Sequence, residues 1–277
     1  MRRNIRQKRR LRTFGTRTNQ RIKERFKRPF PRVVVPSFFT LMNLFCGFAA
    51  IIQIYEGQLV YGAWLIVFAG LFDALDGFMA RLTNGDSEFG MELDSICDVV
   101  SFGAAPGFLI YVYAFAEMDA IGMLIVAALP PLCGAVRLAR FNVETRIEES
   151  QNNFRGLPIP AMAIMLVAFF LTFYPRPDFF DIFAYGVNSV LIPAVIVLSL
   201  LMVSTFPFDK VPRFNKAYMR QNRLKVWLFI IYALLIIFLK QYGLIIVFTI
   251  YIARGLVMAG IRFWNDVMSD EDELQAV

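Results

Sequence analysis

Asp73, Asp76, Asp94 and Asp98 are the residues of this chain best suited to chemistry. Asp73 and Asp76 stand three apart, and Asp94 and Asp98 stand four apart. On a helix, both spacings place the pair on one face. All four fall within LFDALDGFMARLTNGDSEFGMELDSICDVV, which otherwise reads as membrane helix broken by a short polar connection, Leu82–Phe89. A charged side chain at the bilayer centre costs at least ~2.5–3.5 kcal/mol on insertion scales. Four carboxylates therefore need a partner, and Arg81 can satisfy only one. A set of hard oxygen donors with no His suits Mg²⁺, Mn²⁺ or Ca²⁺ better than zinc. Two divalent ions would neutralise four carboxylates, and two ions are what a phosphoryl-type displacement can use.

The neighbours of these acids fit the same chemistry. Gly77, Ala80 and Arg81 follow Asp73 at +4, +7 and +8, and Gly90 precedes Asp94 by four. The small residues leave room for a ligand to approach the helix backbone, and Arg81 supplies a forked cation suited to phosphate. The chain contains no His. That excludes Ser-His-Asp and Cys-His mechanisms and any phospho-histidine intermediate, so carboxylates and metals must do the work. The three cysteines, Cys46, Cys97 and Cys133, form no CxxC pair and read as packing residues.

The elements that must position the acids are transmembrane helices. The 277 residues are 57% hydrophobic and 18% charged, more apolar and less charged than a soluble domain. Eight apolar segments stand out: Val33–Tyr55, Val60–Leu82, Met91–Phe115, Ile121–Phe141, Pro158–Tyr174, Val187–Phe206, Val226–Leu239 and Tyr242–Ala259. The expected fold is all-α, a polytopic membrane bundle with a six-helix catalytic core and two extra C-terminal spans. The short connection after Leu82 makes the second and third helices antiparallel neighbours, so the two acidic faces meet near one membrane surface.

Charge orients the bundle. Residues 1–32 hold fourteen Lys/Arg and one Glu, a cytoplasmic segment with a possible interfacial helix that anionic headgroups attract. A membrane helix follows at once, so this arm reads as a lipid contact and not a nucleic-acid arm. The loop Asp209–Lys225 carries six basic residues and one acid. The positive-inside rule then puts both termini and the acids on the cytoplasmic side. The expected divisions are a basic segment (1–32), a membrane core (33–206), a basic loop (207–225), two added helices (226–261) and an acidic tail (262–277).

Asp73-x2-Asp76-Gly77-x2-Ala80-Arg81-x8-Gly90-x3-Asp94-x3-Asp98 resembles the signature of the CDP-alcohol phosphatidyltransferases at all eight fixed positions. The resemblance implies that Asp73, Asp76, Asp94 and Asp98 hold two divalent cations, Mg²⁺ or Mn²⁺. It implies that Gly77, Ala80, Arg81 and Gly90 line the CDP site, and that Asp98 is also the base that activates the acceptor hydroxyl. A homodimer in a bacterial-type cell membrane is likewise what the family implies.

Within that family the wider sequence resembles the integral-membrane phosphatidylserine synthase subgroup. The stretches are PSFFTLMNLFCGFAA, DVVSFGAAPG beginning at Asp98, and RLARFNVE followed by FRGLPIPA. Ser37 stands where that subgroup usually has Asn. An unrelated class of such synthases works through a His-Lys-Asp motif, which a chain without His cannot carry. The implied reaction is CDP-diacylglycerol plus L-serine giving phosphatidylserine and CMP. Serine carries a carboxylate, so its site needs a cation. Arg137 and Arg140 are the candidates, with Asn142 and Arg155 as further contacts, and Thr40 and Asn43 are placed near the nucleotide. The alternatives are another acceptor (glycerol-3-phosphate, inositol phosphate or choline) or, more distantly, a cation transporter using the intramembrane acids.

Overall fold

The computed structural model describes residues 34–83, 87–115, 121–147, 156–206, 208 and 223–275. Every described element is helical. α1 (Val34–Tyr55) and α2 (Leu59–Thr83) form a close antiparallel pair joined at Gly57, which sits at a positive φ of 82°. α3 (Glu88–Asp98) returns beside them. It passes without a break into a π-helical turn, Val99–Ala104, then α4 (Ala105–Ile110), then a second π-helical turn, Tyr111–Phe115. α5 (Ile121–Ile147) follows, carrying Pro130 and Pro131 in its interior. α6 (Ile159–Phe173) and α7 (Asn188–Val203) complete the six-helix body. α8 (Arg223–Leu239) and α9 (Gln241–Gln275) close the chain.

All eight apolar segments are helical, but they differ in reach. Among the described residues, five stretches are long and apolar enough to cross a membrane: Pro36–Tyr55, Leu59–Leu82, Glu88–Phe115, Ile121–Glu144 and Gln241–Arg262. α6 has 15 residues and α7 has 16. At ~1.5 Å per residue they extend roughly 22–24 Å, short of a hydrocarbon core of about 30 Å. Their connection carries exposed Phe179, Ile182 and Tyr185, so apolar surface continues past the helix ends. The last helix exceeds its expected limit at Ala259 and runs to Gln275. The acidic tail meets no Pro or Gly after Gly260 that would stop it.

α6 is the central post. Ile159, Met162, Ala163, Leu166, Val167 and Phe170 are buried, and neighbours cover it on several sides. A helix apolar all round belongs in an interior. α2, α4, α7 and the π turn after Asp98 pack on it, and so does α9. The last helix therefore closes against the core itself. By contrast, α8 exposes Trp227, Ile231, Leu234, Ile237 and Phe238, a surface suited to lipid.

Candidate active site

α3 starts at a defined point because Ser87 caps it, its hydroxyl accepting the Gly90 amide at 3.0 Å. That start fixes the register of Asp94 and Asp98 against α2. One carboxylate oxygen each from Asp73, Asp76 and Asp94 then come within 4.8 Å of one another. Asp76 is buried, and Asp73 and Asp94 are half-buried. Asp76 Oδ2 and Asp94 Oδ1 are buried with no hydrogen-bond partner. Among the described residues, the one recorded salt bridge is Arg140 to Glu144, at 3.8 Å, so none neutralises the cluster. Three converging oxygens with orphaned lone pairs fit a hard divalent cation.

Asp98 is not part of that three-oxygen set. It lies deeper on the α3 face and is 6% exposed. Asn43 of α1 donates from Nδ2 to its Oδ1 at 3.2 Å.

A cleft opens beside the acids. α1 supplies Pro36, Ser37 and Thr40 to its wall, α2 supplies Asp76, Gly77 and Ala80, and the α3 side supplies Ser87, Gly90, Met91 and Asp94. Six of the residues singled out from the sequence thus meet around one opening: Thr40, Asp76, Gly77, Ala80, Gly90 and Asp94. Arg81 is exposed and folds back on its own helix, so that a Cβ on Gly77 would meet its Nη1 at 3.6 Å. Sequence reasoning missed Ser87 as a wall residue. The available signal was a Ser directly before Glu88 at the start of an acid-bearing helix.

The residues proposed for the acceptor alcohol separate. Arg137 is 5% exposed and lies near enough to Asp98 to feel its charge. Arg140 donates to the carbonyls of Val203 at 2.9 Å and Ser204 at 3.2 Å. Those are C-terminal groups of α7 that a cation is well placed to satisfy. Asn142 donates to Ser95 Oγ at 3.0 Å and to Glu92 Oε2 at 3.3 Å, tying α5 to α3. Arg155 lies outside the described residues.

Comparison with known proteins gives a consistent family. The sequence model of the CDP-alcohol phosphatidyltransferases matches residues 33–205. A CDP-diacylglycerol–serine O-phosphatidyltransferase of Helicobacter pylori is 33% identical over 228 residues, covering 82% of this chain and 91% of that protein. Its namesake in Methanocaldococcus jannaschii is 38% identical over 186 residues, covering 67% and 78%. The crystal structure of Mycobacterium tuberculosis phosphatidylinositol phosphate synthase in complex with manganese and citrate is 22% identical, covering 72% of this chain and 83% of that one, with a TM-score of 0.45. On the family match over more than half its length, this integral membrane protein belongs to the CDP-alcohol phosphatidyltransferase family.

Proposed function

We propose that this protein transfers the phosphatidyl group of CDP-diacylglycerol to L-serine, releasing CMP, at a site facing the cytoplasm. The observation that carries the reading is the meeting of Asp73, Asp76 and Asp94 at a cleft walled by Gly77, Ala80 and Gly90. Serine as acceptor draws on the names of the relatives at 33–38% identity. The cytoplasmic orientation draws on the fourteen basic residues within 1–32 and the basic loop before α8.

Asp73, Asp76, Asp94 and Asp98 would hold the divalent ions, Mg²⁺ or Mn²⁺. When bound, these neutralise the diphosphate and polarise its phosphoryl oxygens. The small cleft residues let the nucleotide approach the backbone of α2 and α3, while the acyl chains stay in the bilayer. Arg81, at the exposed end of α2, meets phosphate from the aqueous side. Asp98 takes the proton of the serine hydroxyl. The hydroxyl oxygen attacks the β-phosphorus, the bond from that phosphorus to the bridging oxygen breaks, and CMP leaves with the electron pair. Most of the rate comes from positioning and charge stabilisation.

The serine carboxylate needs a cation, and Arg137 stands closer to that role than Arg140. Arg137 interacts with the charge of Asp98, whereas Arg140 is engaged with the end of α7. Arg137→Ala is expected to raise the serine KM by about tenfold or more and leave the CDP-diacylglycerol KM nearly unchanged. Arg140→Ala is expected to lower the melting temperature and raise the serine KM less. Equal serine KM values in Arg137→Ala and the unmodified protein would remove Arg137 from the acceptor site. The reaction itself is tested by CMP release from CDP-diacylglycerol with serine, glycerol-3-phosphate, inositol phosphate and choline in parallel. Turnover with serine alone is expected. Preference for another alcohol would keep the chemistry and replace the acceptor.

A further inference from the structure

Among the described residues, the carboxylate of Asp98 takes a side-chain hydrogen bond on one oxygen, Oδ1. Asn43 Nδ2 donates to its Oδ1 at 3.2 Å, and both side chains are buried. Asn43 does not line the cleft where the sequence had placed it, although Thr40, one turn earlier on α1, does. A carboxylate free to rotate presents either oxygen in any plane. A fixed donor on one oxygen sets the plane and leaves the other oxygen available. A neutral amide does so without adding a further charge beside that of Arg137.

Asn43 is itself held by the segment it serves. Its backbone carbonyl accepts a hydrogen bond from Ser101 Oγ at 3.0 Å. Ser101 lies in the π-helical turn Val99–Ala104, which starts directly after Asp98. Such turns occur often at functional sites. This one is wedged from two sides. On the α1 side, a Cβ on Gly47 would overlap Ser101 Oγ and come to 2.6 Å from Ser101 Cα. On the α5 side, a Cβ on Gly103 would meet Pro131 Cα at 2.7 Å. Only glycine at 47 and 103 allows both backbones so near. The stretch DVVSFGAAPG thereby gains a physical role that its position at Asp98 left unexplained.

We infer that Asn43 is the positioning residue for Asp98, holding one carboxylate oxygen so that the other faces the acceptor hydroxyl. Ser101, Gly47 and Gly103 set the helix separation that lets it reach. The inference rests on Asp98 being the base, as proposed above. Asn43 acts through Asp98 and touches no substrate.

The test uses the full-length protein in detergent with CDP-diacylglycerol, serine and Mn²⁺. Asn43→Leu keeps the side-chain size and removes the donor. Its kcat is expected to fall about 100-fold, the scale of a small misplacement of a reacting group. Both KM values should stay within about threefold, because binding is not what is lost. Mn²⁺ binding, followed by electron paramagnetic resonance without lipid substrate, should weaken about tenfold, as loss of a partner behind a ligand does. Ser101→Ala should show a smaller fall in kcat with the same KM pattern, and it replaces Asn43→Leu if that variant fails to fold. A purely structural contact would lower the melting temperature and leave kcat per folded molecule and Mn²⁺ binding unchanged, which would overturn the inference. Asp98→Asn separates the two levels. Its inactivity beside a fully active Asn43→Leu overturns the positioning role alone, whereas wild-type turnover by Asp98→Asn overturns the base and the positioning role together.

Discussion

Asp98→Asn is expected to abolish CMP release, lowering kcat by about 1,000-fold, within the span attributed to a positioned general base. The substitution keeps the shape of the side chain. Its amide oxygen still faces the Asn43 donor, so the local hydrogen bond at 3.2 Å can survive. What disappears is the ability to take a proton. Nothing else near the site substitutes, because the chain has no His and the other acids are drawn into the three-oxygen set. CMP binding by the variant, measured by calorimetry at Mn²⁺ high enough to offset a weakened metal site, should persist, since Asp98 does not line the cleft. Turnover equal to that of the unmodified protein would remove Asp98 from the chemistry.

The second large effect is on the metal. Dialysis against EDTA is expected to remove activity, and Mg²⁺ or Mn²⁺ to restore it. Asp94→Asn is expected to raise the metal concentration needed for half-maximal activity by at least about tenfold, because one of three converging carboxylates is lost. The same substitution acts oppositely on the metal-free fold. Asp73, Asp76 and Asp94 lie within 4.8 Å of one another with no described salt bridge among them, so like charges repel. Replacing one carboxylate by an amide relieves that repulsion. The metal-free variant should therefore melt at a higher temperature than the metal-free parent, and gain less from added Mn²⁺. A ligand at about 100 times its Kd stabilises by ~2.7 kcal/mol, which a thermal melt resolves. Full activity after EDTA, or an equal Mn²⁺ gain in both proteins, would sink the metal assignment.

The carboxylate pairs were legible in the sequence because helix geometry acts locally. Spacings of three and four align Asp73 with Asp76 and Asp94 with Asp98 whatever surrounds them. Apolar runs of fixed length announced the helices, and a short polar connection announced that α2 and α3 are neighbours. Residues missed or left loosely placed owe their roles to other helices. Arg140 read as a candidate for the serine carboxylate, and only the position of the α7 terminus shows the carbonyls of Val203 and Ser204 beside it. Asn43 read as a cleft residue, and only the approach of α1 to the π turn turns it onto Asp98. The packing of α9 on α6 likewise has no periodicity that predicts it, since an apolar helix suits lipid and protein equally.

By itself, then, the sequence determined the helices, the register of the four acids on them and the class of chemistry those acids support. Tertiary structure alone decided which side chains from α1 and α5 complete or brace the site. The physical reason is range. Side-chain alignment along one helix follows from its 3.6-residue repeat, whereas contacts between helices depend on separations that small residues at Gly47 and Gly103 permit and no local pattern encodes.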